Sequence, residues 1–458
     1  MGDRARLSRR QFVGSAAAAG AHLALSSPAG GAAGGKADDL NVAIIGTGTE
    51  GRVLINCCLK MPNVRFKAVC DIWQYSRRYA SRLLGKFGHE VNVYTDYRDM
   101  LASEKDLDAA IVATPDWMHA EHTIACLQAG LHVYCEKEMS NSLAEAAKMV
   151  RASREAGRLL QIGHQRRSNP RYVHARQHLL REAKLLGRIT HAYGQWNRAK
   201  RAMLGWPKKY VMDDAALKKY GYDSMLRFRN WRWFKKYGGG PIVDLGSHQI
   251  DVFGWFLNAR PTRVMASGGL DFYKPPKWKP REWYDNVLTT YEYDTPDGVA
   301  RAFYQVLTTT SARGYYETFM GEDGTLQMSE DPRKCRVFAE AHLINPDGTH
   351  PWDKWVRKGY LAKQPAEEAP AAADPTDAIL AMYGESKPPV TWLMPVKVEQ
   401  TFHGPHLKNF FDAVRAGKPE RLNCPADVGY ETAATVLRVN EAVEAGRTLT
   451  FKESDLKV

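Results

Sequence analysis

The sequence predicts an α/β protein in which a doubly wound parallel sheet precedes a second, α+β domain with a large, mostly antiparallel open sheet. Three features carry this reading. From Leu40 to Gly163 short apolar runs alternate with segments of helical length, the pattern of repeated β-α units. The first run, Val42-Ala43-Ile44-Ile45, leads into a glycine-rich turn. Beyond Asn169 the strand candidates lengthen and become rich in aromatics and threonine, as in antiparallel sheets. The chain is thereby divided into residues 1–39, 40–163 and 164–458.

In the first sheet, strands are expected at 41–45, 66–70, 91–94, 109–113, 131–135 and 159–163, with helices including 74–87, 117–129 and 142–156. The turn after the first strand reads Gly46-Thr47-Gly48-Thr49-Glu50-Gly51, a GxGxxG fingerprint. The first glycine permits a tight turn, the second lets the backbone approach a pyrophosphate, and the third lets helix and strand pack closely. The helix that follows presents free N–H groups and its positive dipole end to the phosphates. The second apolar run ends in Asp71, 20 residues after Gly51, where a carboxylate accepts hydrogen bonds from the adenosine ribose. Strand, glycines, helix, strand and acid together predict a Rossmann dinucleotide site. Asp71 favours NAD because it would repel a 2′-phosphate, while the adjacent Arg77 and Arg78 keep NADP as the lesser alternative.

In the second part, strands are expected at 188–197, 262–271, 285–294, 299–310 and 315–328, interrupted by a helix containing Asp244 to Phe256. Residues 340–400 read as irregular, with a surface excursion from Gln364 to Pro375, and 404–417 and 425–445 read as helices.

Composition is that of an ordinary globular protein, 44% hydrophobic and 25% charged. The net charge is +13, to which residues 1–35 contribute +3 through four arginines against Asp3. The remaining basic residues are dispersed or in pairs such as Lys208-Lys209, so nothing reads as a nucleic-acid module. Seven cysteines lack CxxC or zinc spacing and predict buried thiols and no metal site. At the N-terminus, Ser8-Arg9-Arg10-Gln11-Phe12-Val13 precedes a mildly apolar, alanine-rich stretch to Leu25. This resembles a twin-arginine export signal and is too short and alanine-rich for a membrane span. The expectation is a signal and linker over 1–39, recognition by the twin-arginine machinery, and a periplasmic or otherwise exported protein. That route carries folded proteins, so a cofactor would travel bound and be recycled in place.

The chemistry concentrates in three further segments. Thr114-Pro115-Asp116-Trp117-Met118-His119 follows the fourth strand, at the carboxyl edge where cofactors bind. Glu136-Lys137-Glu138 follows the fifth strand, and Gly238 to Asp251 contains Asp244 and His248. Four residues apart on a helix, Asp244 and His248 share one face, so the carboxylate could orient the imidazole. Such a histidine can take an alcohol proton as hydride leaves the carbon. Lys137 can hold the oxygen and stabilise its developing negative charge. His119 is read as a helix-start or cofactor-loop residue rather than a base.

These motifs resemble the Gfo/Idh/MocA oxidoreductases, which include glucose–fructose oxidoreductase and inositol dehydrogenase. The glycine fingerprint matches Gly46, Gly48 and Gly51; the acid matches Asp71; the Thr-Pro…His loop matches Thr114, Pro115 and His119. The Glu-Lys-Pro motif matches Glu136 and Lys137, and the glycine-rich Asp…His…Asp motif matches residues 238–251. The resemblance implies Lys137, Asp244 and His248 as the catalytic set, with His248 as acid/base. It also implies that Arg166, in Gly163-His164-Gln165-Arg166-Arg167, reaches cofactor or substrate, and that the protein is a homodimer or homotetramer built through the open sheet face. One departure is Glu138 where the family has proline, often in a cis bond; a glutamate would leave this loop trans or strained.

The function expected first is NAD-dependent transfer of hydride between nicotinamide and a hydroxyl carbon of a sugar, glycoside or cyclic polyol. Arg232 is a candidate substrate contact, and Trp196, Trp231, Trp233 and Tyr237 are candidate sugar-stacking faces. An alternative is an NAD-dependent glycoside hydrolase or lyase working through a keto-sugar, with the cofactor recycled. A second is a non-catalytic sensor, against which the intact Lys137, Asp244 and His248 argue.

Overall fold

Strand β1 (Leu40–Ile45) is buried except at the half-buried Asn41, because it lies inside a sheet covered on both faces. The computed structural model describes residues 39–364, 389–399 and 401–458. The export-signal reading, and nearly all of the excursion expected at Gln364–Pro375, lie outside the described residues. With β2 (Val64–Cys70), β3 (Asn92–Tyr94), β4 (Ala109–Val112), β5 (His132–Cys135) and β6 (Leu160–Ile162), β1 forms a six-stranded sheet in the order β3-β2-β1-β4-β5-β6. Every pairing in it is parallel. The order reverses between β1 and β4, the switch point where a doubly wound sheet opens a crevice for ligands.

Helices α1 (Thr49–Cys58), α2 (Gln74–Lys86), α3 (Tyr97–Ser103), α4 (Asp116–Gln128) and α5 (Leu143–Ala156) connect these strands. Their limits follow from local chemistry. In α5 the Ser142 hydroxyl accepts from the Glu145 N–H, and the helix stops at Gly157, whose φ is +60°.

The second sheet has ten strands: β7 (Ile189–Asn197), β8 (Pro261–Gly269), β9 (Asn286–Thr295), β10 (Gly298–Leu307), β11 (Tyr315–Gly321), β12 (Gly324–Met328), β13 (Arg336–Ala339), β14 (Ala362–Lys363), β15 (Val390–Leu393) and β16 (Leu449–Thr450). Their order is β14-β15-β13-β12-β11-β7-β10-β9-β8-β16. It is antiparallel throughout except for the parallel pair β7 and β10. The expected single strand at 315–328 is a hairpin, turning at Glu322-Asp323. The stretch 340–400 is not wholly irregular either: β14 and β15 extend the sheet edge, where Trp352 and Trp392 are buried.

One face of this sheet is covered by α6 (Gly240–Leu257), whose Phe253 and Phe256 pack on Phe319. The other face leaves Met265, Leu288 and Met320 exposed. Two late helices return to the first sheet. α7 (Gly404–Ala416) packs Leu407, Phe410 and Phe411 against Leu54, Ile55 and the inner strands, and α8 (Ala426–Ala445) packs on both sheets. The segment 203–237 contains no strand and joins Trp73 in an aromatic cluster with Tyr222, Phe234 and Tyr237.

Candidate active site

The glycine turn behaves as a cradle. Gly46 has φ +89°, and a Cβ there would lie 2.5 Å from the Ala113 carbonyl oxygen. A Cβ on Gly51 would lie 2.1 Å from the Gly46 carbonyl oxygen, whereas one on Gly48 would meet nothing within 4 Å. The first and third glycines are therefore imposed by packing, and the second leaves the approach to the backbone open. α1 begins at Thr49 without a side-chain cap, so its first N–H groups have no intramolecular side-chain acceptor at the cap.

Asp71 closes the far end of this cradle. Its Oδ2 accepts from Thr47 N at 2.8 Å and Thr47 Oγ1 at 3.1 Å, and its Oδ1 accepts from Trp73 N at 2.8 Å. Burial pushes its pKa up despite these bonds. Trp73 is itself buried, and its Nε1 donates to the Tyr210 carbonyl at 2.6 Å. The segment 203–237 thus walls the Asp71 end of the cradle. At the other end, Glu50 meets His403 at 3.2 Å, beside Glu136.

The two loops after β4 and β5 are tied together. His119 is buried, with Nε2 2.7 Å from the Thr114 carbonyl and Nδ1 2.7 Å from the Glu138 carbonyl. A neutral imidazole donates to only one of these, and burial lowers the His119 pKa to about 4. This residue fixes loops. Pro115 precedes α4, and the Thr114 hydroxyl lies 3.1 Å from His122 Nδ1. The Glu136 carboxyl accepts from Tyr134 OH and Lys137 N, each at 3.2 Å. A Cβ on Gly163 would lie 2.9 Å from that carboxyl, so Glu136 requires the glycine. The Lys137–Glu138 peptide is cis, not trans. The Glu138 side chain turns inward, accepting from Met139 N at 2.7 Å, and burial raises its pKa to about 8.

Lys137, Asp244 and His248 come together at the carboxyl edge of the first sheet. Lys137 Nζ donates to the Asp244 carbonyl and lies 3.5 Å from Asp244 Oδ1. Arg232 Nε donates to the same Oδ1 at 2.9 Å. Burial opposes ionisation of Asp244, but Arg232, Lys137 and Arg198 outweigh it and hold the carboxyl well below its usual range. His248 sits one turn along α6, 8% exposed, with Nδ1 unpartnered and its ring 5.5 Å from Trp196. Burial, then Lys137 and Arg166, keep it neutral.

Several expectations are corrected here. Asp244 does not orient His248: no hydrogen bond joins them, His248 Nδ1 has no partner, and Arg232 and Lys137 both approach Asp244 Oδ1. Arg166 does not reach an open site: it is 1% exposed, and its guanidinium is held by Glu317 at 3.1 Å and Glu330 at 3.3 Å. Tyr237 is fully buried, with its hydroxyl on Gly221 O and Asp223, so it offers no sugar face. Trp231 lies under the Arg232 guanidinium and Trp233 under that of Arg281.

Other groups at the site had no local signal. Asp116, the first residue of α4, is 3% exposed beside Asp244, Arg232, Lys137 and the Gly239 N–H. Burial and Asp244 push its pKa up to about 7. His164 is buried with both ring nitrogens unpartnered, near Lys137 and His248. Arg198 stacks over Trp196.

Residues 40–164 match the GFO_IDH_MocA oxidoreductase family's NAD-binding Rossmann fold, and residues 211–448 match its C-terminal alpha/beta domain. The chain belongs to the Gfo/Idh/MocA oxidoreductase family. This Gfo/Idh/MocA chain is 32% identical over 366 residues to an inositol 2-dehydrogenase of Rubrobacter xylanophilus, covering 76% of this chain and 89% of the relative. A 4-carboxy-2-hydroxymuconate-6-semialdehyde dehydrogenase of Sphingobium sp. is 33% identical over 137 residues, only 30% of this chain and 42% of the relative. The fold is shared with an aldose–aldose oxidoreductase from Caulobacter crescentus complexed with glycerol, at TM-score 0.63 and 18% identity over 90% of this chain and 100% of the other. NAD is the cofactor of the family's first domain. The open approach at Gly48, the uncapped α1 terminus and the Asp71 carboxylate fit it.

Proposed function

We propose that the chain is an exported, NAD-dependent oxidoreductase that moves hydride between nicotinamide and a hydroxyl-bearing carbon of a sugar, glycoside or cyclic polyol. The observation that carries this reading is the meeting of Lys137, Asp244 and His248 beside the nucleotide cradle. When bound, nicotinamide supplies the hydride acceptor. The remaining work falls to side chains. Lys137 Nζ holds the reacting oxygen and stabilises its charge as the hydroxyl proton leaves. His248, held neutral, accepts that proton at a ring nitrogen. Asp244 acts as a positioning residue by fixing Lys137 and Arg232. Trp196, packed between Tyr315 and Arg198, borders the site next to His248.

The inositol 2-dehydrogenase relative supports a polyol or sugar substrate. Export rests on Arg9-Arg10 and the alanine-rich stretch that follows. Retention of cofactor is supported by the wall that Tyr210 and its neighbours build over Trp73. Assembly into a homodimer or homotetramer is supported by the apolar side chains on the open sheet face, Met265, Leu288 and Met320.

The test is absorbance and mass spectrometry of the purified full chain for bound NAD(H), followed by a panel of sugars and glycosides. The expected result is retained nicotinamide that becomes reduced, with His248→Ala lowering turnover roughly 100-fold or more at unchanged cofactor content. Aglycone release without net NADH would assign the hydrolase alternative. Protein that neither holds nor accepts NAD or NADP would overturn the proposal.

A further inference from the structure

Three cations surround the Asp244 carboxylate, and two of them contact it. Lys137 and Arg232 both contact Asp244. Arg198, at the end of β7, lies close enough to help hold Asp244 ionised, yet among the described residues its side chain has no hydrogen bond or ion pair. Its guanidinium sits 5.3 Å from the Trp196 ring centroid, and Trp196 in turn stands 5.5 Å from the His248 ring and stacks on Tyr315 at 4.5 Å. Arg198 is half-buried and flanked by the exposed Lys200 and Arg201. Asp116, the other acid nearby, donates no compensation to it: its surroundings are Asp244, Arg232, Lys137 and Gly239. The Arg198 guanidinium nitrogens are open to solvent rather than sealed in, and the planar fork suits a carboxylate or phosphate.

We propose that the substrate carries an oxyanion, either the carboxylate of an acidic sugar or a sugar phosphate, which Arg198 receives while Lys137 and His248 act on a hydroxyl of the same molecule. This rests on the oxidoreductase reading above and narrows its substrate class. Recognition of this kind sets specificity rather than chemistry, so Arg198 is a substrate-selecting residue.

The experiment compares three matched probes on the full-length holoenzyme: methyl glucoside, glucuronate and glucose 6-phosphate. Binding is read by quenching of intrinsic tryptophan fluorescence and turnover by NADH absorbance. Wild type is expected to bind one of the anionic probes at least tenfold more tightly than the neutral one. Arg198→Gln is expected to erase that preference, raising Kd and KM for the anion roughly 10- to 100-fold with a smaller change in kcat, and Arg198→Lys is expected to restore part of it. The two anionic probes separate carboxylate from phosphate. Equal binding of neutral and anionic probes, or an Arg198→Gln variant whose main loss is NAD affinity, would overturn the proposal. Because binding is read without turnover, failure of NAD reduction counts against the oxidoreductase reading while the binding preference still decides this one.

Discussion

Asp116 should make the folded protein less stable as pH rises, and Asp116→Asn should remove that dependence. The carboxyl is 3% exposed at the start of α4. Burial is the largest influence and Asp244 adds to it, while Arg232, Lys137 and the Gly239 N–H oppose; the balance places the pKa at about 7. In the unfolded chain an aspartate titrates near about 3.9. Between those values the unfolded chain has released the proton and the folded chain keeps it. The folded state then binds more protons, so stability falls with rising pH. The penalty is absent below the unfolded value, grows through the interval, and is complete above the folded value. Its full size is about 4 kcal/mol, from about 1.4 kcal/mol for each pKa unit. Asparagine carries no proton to lose and keeps an acceptor for Gly239. The assay is guanidinium denaturation of cofactor-free protein at several pH values, for wild type and Asp116→Asn. The expected result is a stability difference that moves in favour of the variant by about 4 kcal/mol between pH 4 and pH 8, nearly all of it before pH 7.5. A difference that is flat with pH would refute the reasoning, because it would mean that Asp116 is ionised in the folded protein as readily as in water.

Gly46→Ala should lower the melting temperature and abolish NAD binding by calorimetry, since a Cβ must occupy φ +89° and approach the Ala113 oxygen to 2.5 Å. Arg166→Met leaves Glu317 and Glu330 buried without their cation and should cost about 3–5 kcal/mol at pH 7 by chemical denaturation; Glu317, pushed up to about 7 by burial, should return part of that loss as pH falls. All seven cysteines are buried and free, so a thiol reagent should label essentially none in the native protein and seven after unfolding.

The parts of this fold that are legible in the sequence are those whose environment is set by near neighbours. Strands β1, β4 and β5 are covered on both faces and therefore carry the apolar runs Val42–Ile45, Ala109–Val112 and Val133–Cys135. The glycine turn is legible because two of its three positions admit no side chain. The hairpin β11–β12 reads as one strand because only Glu322-Asp323 separates its flanking glycines, Gly321 and Gly324. β14 and β15 were hidden because they are short and lie in a stretch dominated by proline and alanine; the cue to β15 was Trp392, which buries against Trp352. Arg166 sits in a motif that identifies its place in the chain, but its acceptors lie 151 and 164 residues further on, and they decide where the guanidinium points.

The Asp244–His248 spacing shows the same limit at the centre of the site. Helical periodicity places both residues on α6, one turn apart. It cannot show that Arg232 and Lys137, the latter 107 residues earlier, compete for the carboxylate and win. The consequence is chemical. With Asp244 Oδ1 facing two cations and no bond from it to His248, burial and then Lys137 and Arg166 keep the imidazole neutral. The same cations hold Asp244 ionised while Asp116, close by and repelled by it, retains its proton up to about pH 7. Two aspartates in one neighbourhood are thus driven in opposite directions. The charged one anchors Lys137 where a developing alkoxide needs it, and the other adds little negative charge to weaken that hold. The positive charges at the centre stabilise a developing alkoxide at Lys137, and the same charges disfavour an imidazolium on His248, so proton acceptance there is tied to alkoxide formation beside it.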